Sequence, residues 1–104
     1  MPRRRISNWH YVYVLQSEKD KDFYIGYTQN LRKRLKEHSA KMIFSTKSRF
    51  PCRPIYVEAC LNKADAQRRG EYLKTSQGHR FLKIRLKEFL NWKIPFEILY
   101  GTTL

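Results

Sequence analysis

Tyr24, Arg34 and His38 are the residues whose types and spacing best suit chemistry on a phosphate. Arg34 and His38 stand four apart in Leu31-Arg32-Lys33-Arg34-Leu35-Lys36-Glu37-His38. On a helix they share one face. Tyr24 lies just upstream, in Phe23-Tyr24-Ile25-Gly26-Tyr27-Thr28, a run whose aromatic and β-branched residues favour a strand. A guanidinium clamps phosphate oxygens and an imidazole moves protons near neutral pH. A phenol ordinarily ionises near ~10, so it needs a nearby cation or a metal-bound water to act as a base there. The same residues also fit a packed strand and a solvated helix face.

The elements that would position these groups can be read in order. Residues 9–16 read as a first strand with Tyr11, Tyr13 and Leu15 on one side and His10, Val12, Val14 and Gln16 on the other. Both sides are largely apolar, so this strand is expected at the centre of the sheet. Ser17 to Asp22 is a polar turn, and strand 23–28 returns antiparallel. An odd loop places Tyr13 and Tyr24 on opposite faces, whereas an even loop or one bulge places them together. The residues alone leave that open. Asn30 is a good N-cap for a helix over 29–40, with Leu31 and Leu35 as its buried stripe. Residues 41–52 form a loop holding Ser45-Thr46-Lys47-Ser48-Arg49 and Pro51. Its hydroxyls and cations suit phosphate contacts, and equally a solvated connection. Residues 53–61 read as a third strand. Asn62 caps a helix over 63–77 with Ala66, Gly70 and Leu73 inward, and Gly78 ends it. A further helix over 79–91 turns Leu82, Leu86, Phe89 and Leu90 inward, with Arg80 and Lys83 outward or flanking. The expected fold is mixed α/β of the α+β kind: a small three-stranded, mainly antiparallel sheet flanked by helices.

Tyr24-Ile25-Gly26, Arg34 ten residues on and His38 four further resemble the second half of the GIY-YIG nuclease signature. Tyr11-Val12-Tyr13 resembles the first triplet, with Tyr11 where the family usually has glycine. The likeness runs from about Trp9 to about Leu90. It is closest to small stand-alone members related to the UvrC N-terminal domain. The resemblance implies that Tyr13 and Tyr24 share a face and that Tyr24 is the general base. Arg34 would then hold the transition-state charge, while Tyr13 and His38 hydrogen-bond water or phosphate. Glu71 resembles the family's single metal-binding carboxylate. A hard ion, Mg²⁺ or Mn²⁺, accepts one protein carboxylate and fills its shell with water and phosphate oxygens. Read from the residues alone, Glu71 is an i, i+3 partner of Arg68 or Lys74. The late amide of some members has no clear counterpart, with Lys74 or Gln77 as substitutes.

Composition agrees with a polyanionic partner. The 104 residues carry 22 Lys and Arg against 9 Asp and Glu, a net charge of +13. That excess favours DNA or RNA. An anionic membrane surface is not expected, because no long amphipathic helix or apolar span is visible. Hydrophobic residues at 41% argue for a folded domain. No signal peptide is read, and Cys52 and Cys60 fit no zinc pattern, so a reduced cytoplasmic protein is expected.

The organisation is then a basic arm (1–8), one nuclease-like domain (9–91) and an apolar extension (92–104). The extension reads as an edge strand or a pack across the helices, or as a dimer contact in an otherwise monomeric protein. The expected function is metal-dependent endonuclease cleavage of DNA, by structure rather than by sequence, on branched or damaged substrates. Lys33, Ser45, Thr46, Lys47, Arg49, Lys74 and Arg80 are the expected DNA contacts. The alternative is a non-catalytic nucleic-acid-binding module with the same fold.

Overall fold

The structure, a computed structural model, describes residues 8–39 and 51–91. The basic arm through residue 7, the Ser45, Thr46, Lys47 and Arg49 contacts and the 92–104 extension lie outside the described residues.

Strands β1 (His10–Ser17) and β2 (Phe23–Thr28) form an antiparallel hairpin. The turn is closed by the Ser17 amide donating to the Asp22 carbonyl and the Lys21 amide to the Ser17 carbonyl, both at 2.9 Å. The Ser17 hydroxyl accepts from the Lys19 amide at 3.1 Å, and Lys21 takes a left-handed φ of 64°. Gln16 therefore pairs with Phe23, Leu15 with Tyr24 and Tyr13 with Gly26. The loop is even, so Tyr13 and Tyr24 fall on the same face.

Strand β3 (Cys52–Cys60) pairs with β1 on its other side, giving the order β2-β1-β3. The register slips by one residue, with Val14 opposite Tyr56 and Leu15 opposite Pro54. Ile55 is the extra residue of this bulge. Proline cannot donate to a ladder, and its place on an outer strand at a bulge is where that costs least. As the two-sided apolar pattern implies, β1 is central and buried from Val12 to Ser17.

The core lies on one face, where Val12, Val14 and Ile25 meet Ala66, Leu73 and Leu82. These last come from α2 (Lys63–Leu73) and α3 (Ser76–Arg85). The opposite face carries Tyr13, Tyr24 and helix α1 (Leu31–Ser39). Asn30 and Asn62 cap α1 and α2 as read: each side-chain oxygen accepts an amide three residues on, at 3.1 Å.

The helical half corrects the sequence reading. The expected helix over 63–77 stops at Leu73, because Thr75 is extended (φ −79°, ψ 167°) and its hydroxyl caps α3 by accepting from the Gly78 amide. Gly78 thus opens a helix instead of ending one. It is buried, and a Cβ there would meet the Tyr72 carbonyl and the Leu73 backbone, so only glycine lets α3 fold back this tightly. The expected helix over 79–91 is likewise two pieces, α3 and α4 (Lys87–Asn91), broken at Leu86.

Glu58 ties the sheet to the helices. It accepts from Arg69 Nε at 2.9 Å, from Arg69 Nη2 at 2.8 Å and from the Tyr56 hydroxyl at 2.9 Å. The Arg69 guanidinium also lies 4.5 Å from the Phe81 ring centroid.

Candidate active site

Tyr13 is fully buried at the middle of β1, and the reason is Gly26 opposite it. A Cβ on Gly26 would collide with Cζ and the hydroxyl of Tyr13. The glycine of the Tyr-Ile-Gly triplet is thus the floor on which the Tyr13 ring lies. That position sends the phenol to His38 Nε2 at 2.9 Å, while the Tyr13 and His38 rings meet edge to face.

Arg34 lies beside the same phenol and pairs with Glu37 at 3.1 Å. In the Tyr13–His38 bond the phenol donates when the His38 ring is neutral and unprotonated at Nε2. Burial lowers the His38 pKa, and the Arg34 charge lowers it further, which favours the same neutral ring. Burial raises the Tyr13 phenol above its ordinary value and outweighs the neighbouring Arg34, which lowers it. Tyr13 is therefore a poor base. Its geometry suits holding Arg34 and His38 in place.

Tyr24 is the more open phenol of the pair. Its ring stands edge-on to His38 with centroids 5.2 Å apart. It also lines a hollow of about 280 Å³ at the outer edge of β2, with Phe23, Ile25, Lys74 and His79. An adjoining hollow of about 340 Å³ shares Ile25 and Lys74 and adds Gly26, Tyr27, Gln67, Gly70 and Glu71. A third, of about 420 Å³, joins this one at Tyr27 and is lined by Thr28, Asn30, Lys33, Arg34 and Lys63 among others. Together they follow the β2 edge, with lysines spaced along it.

The structure thus brings Tyr13, Tyr24, Arg34 and His38 together and places Glu71 one hollow away. Glu71 meets Lys74 at 3.4 Å, and its side chain is 76% exposed. Arg68, the other sequence candidate, pairs with Asp65. Lys33 and Lys74 line these hollows, whereas Arg80 is exposed on α3 and lines none of them. Lys63, Glu37 and His79 were not read as site residues. Glu37 was legible as an i, i+3 partner of Arg34. His79 carries no spacing signal, because the fold alone brings it to β2.

Among the described residues no cluster of three or more His, Cys, Asp or Glu could cage a metal ion. A single open carboxylate such as Glu71 nevertheless fits an ion that keeps most of its water and binds with substrate phosphates.

The GIY-YIG catalytic domain family matches residues 9–94, and the chain belongs to that family. UPF0213 protein OB0043 of Oceanobacillus iheyensis is 40% identical over 81 residues, 77% of this chain and 91% of its own. UPF0213 protein CPE1444 of Clostridium perfringens is 42% identical over 69 residues, 62% of this chain and 70% of its own. The solution NMR structure of UPF0213 protein BH0048 from Bacillus halodurans is 33% identical with a TM-score of 0.48, covering 76% of this chain and 85% of that one. GIY-YIG nucleases generally act on DNA with divalent metals. No helix among the described residues is long and apolar enough to cross a membrane.

Proposed function

We propose that the protein is a metal-dependent endonuclease that hydrolyses DNA phosphodiester bonds. The observation that carries this reading is the register of the hairpin. It sets the open phenol of Tyr24 beside the Tyr13–Arg34–His38 group and next to the hollow that holds Glu71.

Tyr24 takes the proton of the attacking water. Arg34, oriented by Tyr13 and Glu37, neutralises the phosphate oxygens as charge builds on them. His38 is buried with Nε2 engaged by Tyr13, so it positions that phenol and its arginine. Glu71 would hold Mg²⁺ or Mn²⁺, which supplies Lewis acidity and charge neutralisation when bound. Lys33, Lys63 and Lys74 contact the backbone without reading bases, which favours selection by DNA structure over sequence. A branched or damaged substrate fits that mode.

The test is cleavage of plasmid, branched and single-stranded DNA with Mg²⁺ or Mn²⁺, each repeated with a chelator. Nicking that the chelator abolishes is the expected result. A second reading, a binding module that does not cleave, is favoured by the ion pair of Glu71 with Lys74, which engages one oxygen of the otherwise exposed carboxylate. Tight DNA binding with no cleavage under any of these conditions establishes it.

A further inference from the structure

His79 lies outside the Tyr13–Arg34–His38 group, yet its setting is that of a working histidine. Its Nδ1 lies 2.9 Å from the Thr75 carbonyl. A carbonyl only accepts, so Nδ1 carries a proton and Nε2 is the nitrogen left for chemistry. The ring is fixed a second time by stacking on Phe23, with centroids 5.5 Å apart and planes at 23°. It is partly open to solvent and shares a hollow with Tyr24 and Lys74. The histidine of the motif is placed differently. His38 is 4% exposed with Nε2 engaged by Tyr13, and it lines none of the hollows.

We infer that His79 is the proton donor to the leaving oxygen of the cleaved phosphodiester, an assignment that rests on the endonuclease reading. Water forms the new P–O bond and yields its proton to the base. The P–O bond to the leaving sugar breaks, and that oxygen takes the proton from Nε2 of the His79 imidazolium. Neutral imidazole remains and is reprotonated from solvent. The Thr75 carbonyl accepts from Nδ1–H in both states, so the ring need not turn during the cycle. Of the groups around the ring, Lys74 just past α2 is cationic, Phe23 on β2 is apolar and Tyr24 on β2 is the base, and a bound phosphate supplies negative charge.

The test uses DNA with a bridging sulfur at the scissile position, because a thiolate leaves without being protonated. With ordinary DNA, His79→Gln is expected to cut about 10²–10⁴-fold more slowly than wild type, the usual range for general acid catalysis. With bridging-sulfur DNA it should cut within a few-fold of wild type. A purely structural role predicts the same loss on both. In case the variant unfolds, wild type supplies a second readout: the alkaline limb of its pH–rate profile should vanish on the sulfur substrate. Equal losses on both substrates, no loss on either, or a retained alkaline limb overturns the assignment while leaving the nuclease reading intact. A wild type that cuts neither substrate overturns both.

Discussion

The ring of Tyr13 lies where a side chain at Gly26 would have to stand. Gly70, by contrast, sits in ordinary space: a Cβ there would come no closer than 3.9 Å to Cγ1 of Val12. The two glycines should therefore respond oppositely to alanine. Gly26→Ala should displace Tyr13 and destabilise the fold by about 1–3 kcal/mol, the usual range for overpacking. Gly70→Ala should stabilise α2 by about 0.5–1 kcal/mol through helix propensity. Denaturant unfolding of the two variants beside wild type checks both signs.

Acid should weaken the fold in two windows. His38 has a folded pKa below its ordinary 6.5, through burial and the Arg34 charge. The unfolded chain then binds a proton that the folded one refuses. The His38 share of stability is complete above about 6.5 and is lost as pH falls from there to the folded value. Glu58 gives the lower window. Burial would raise its pKa, but hydrogen bonds from Arg69 and Tyr56 bring it below the ordinary 4.5. Its share is complete above about 4.5 and is lost as pH falls through the folded value. Unfolding free energy measured from pH 8 downward should show both declines (about 8 being above either window). Glu58→Gln should flatten only the lower one.

Lysines along the β2 edge should make DNA affinity fall steeply with salt. Each neutralised phosphate contributes a slope of about 0.9 in log affinity against log salt on duplex, or about 0.7 on single strands. Lys63→Gln and Lys33→Gln should each lower the slope by about 1 and weaken all sequences alike. Binding titrations over a salt series decide this. A slope unchanged by both substitutions would place the DNA elsewhere.

Much of the fold was legible because local rules and burial agreed. The two-sided apolar pattern of residues 10–16 made β1 central, and Asn30 and Asn62 capped the helices as their positions imply. The break at Thr75 was hidden because Gly78 looks like a C-terminal stop. Its real reason is steric, since Gly78 presses on the backbone at Leu73. The register of Tyr13 against Tyr24 depended on a turn whose residue count is fixed by the Ser17–Asp22 hydrogen bond, which composition does not reveal. The grouping of Tyr13, Arg34 and His38 followed from spacing and resemblance. His79 and Lys63 reach the β2 edge only through long-range packing, so nothing in their neighbours marked them.

The central claim is that Tyr24 and Glu71 carry the chemistry while many cations carry the affinity. Single-turnover cleavage and DNA affinity measured on the same preparations of wild type, Tyr24→Phe and Glu71→Ala test it most directly. Tyr24→Phe keeps the packing and removes one hydroxyl, so its rate should fall about 10²–10⁴-fold with affinity nearly unchanged. Glu71→Ala should abolish metal-dependent cleavage and likewise leave binding nearly intact. Cleavage by either variant at the wild-type rate would contradict the account.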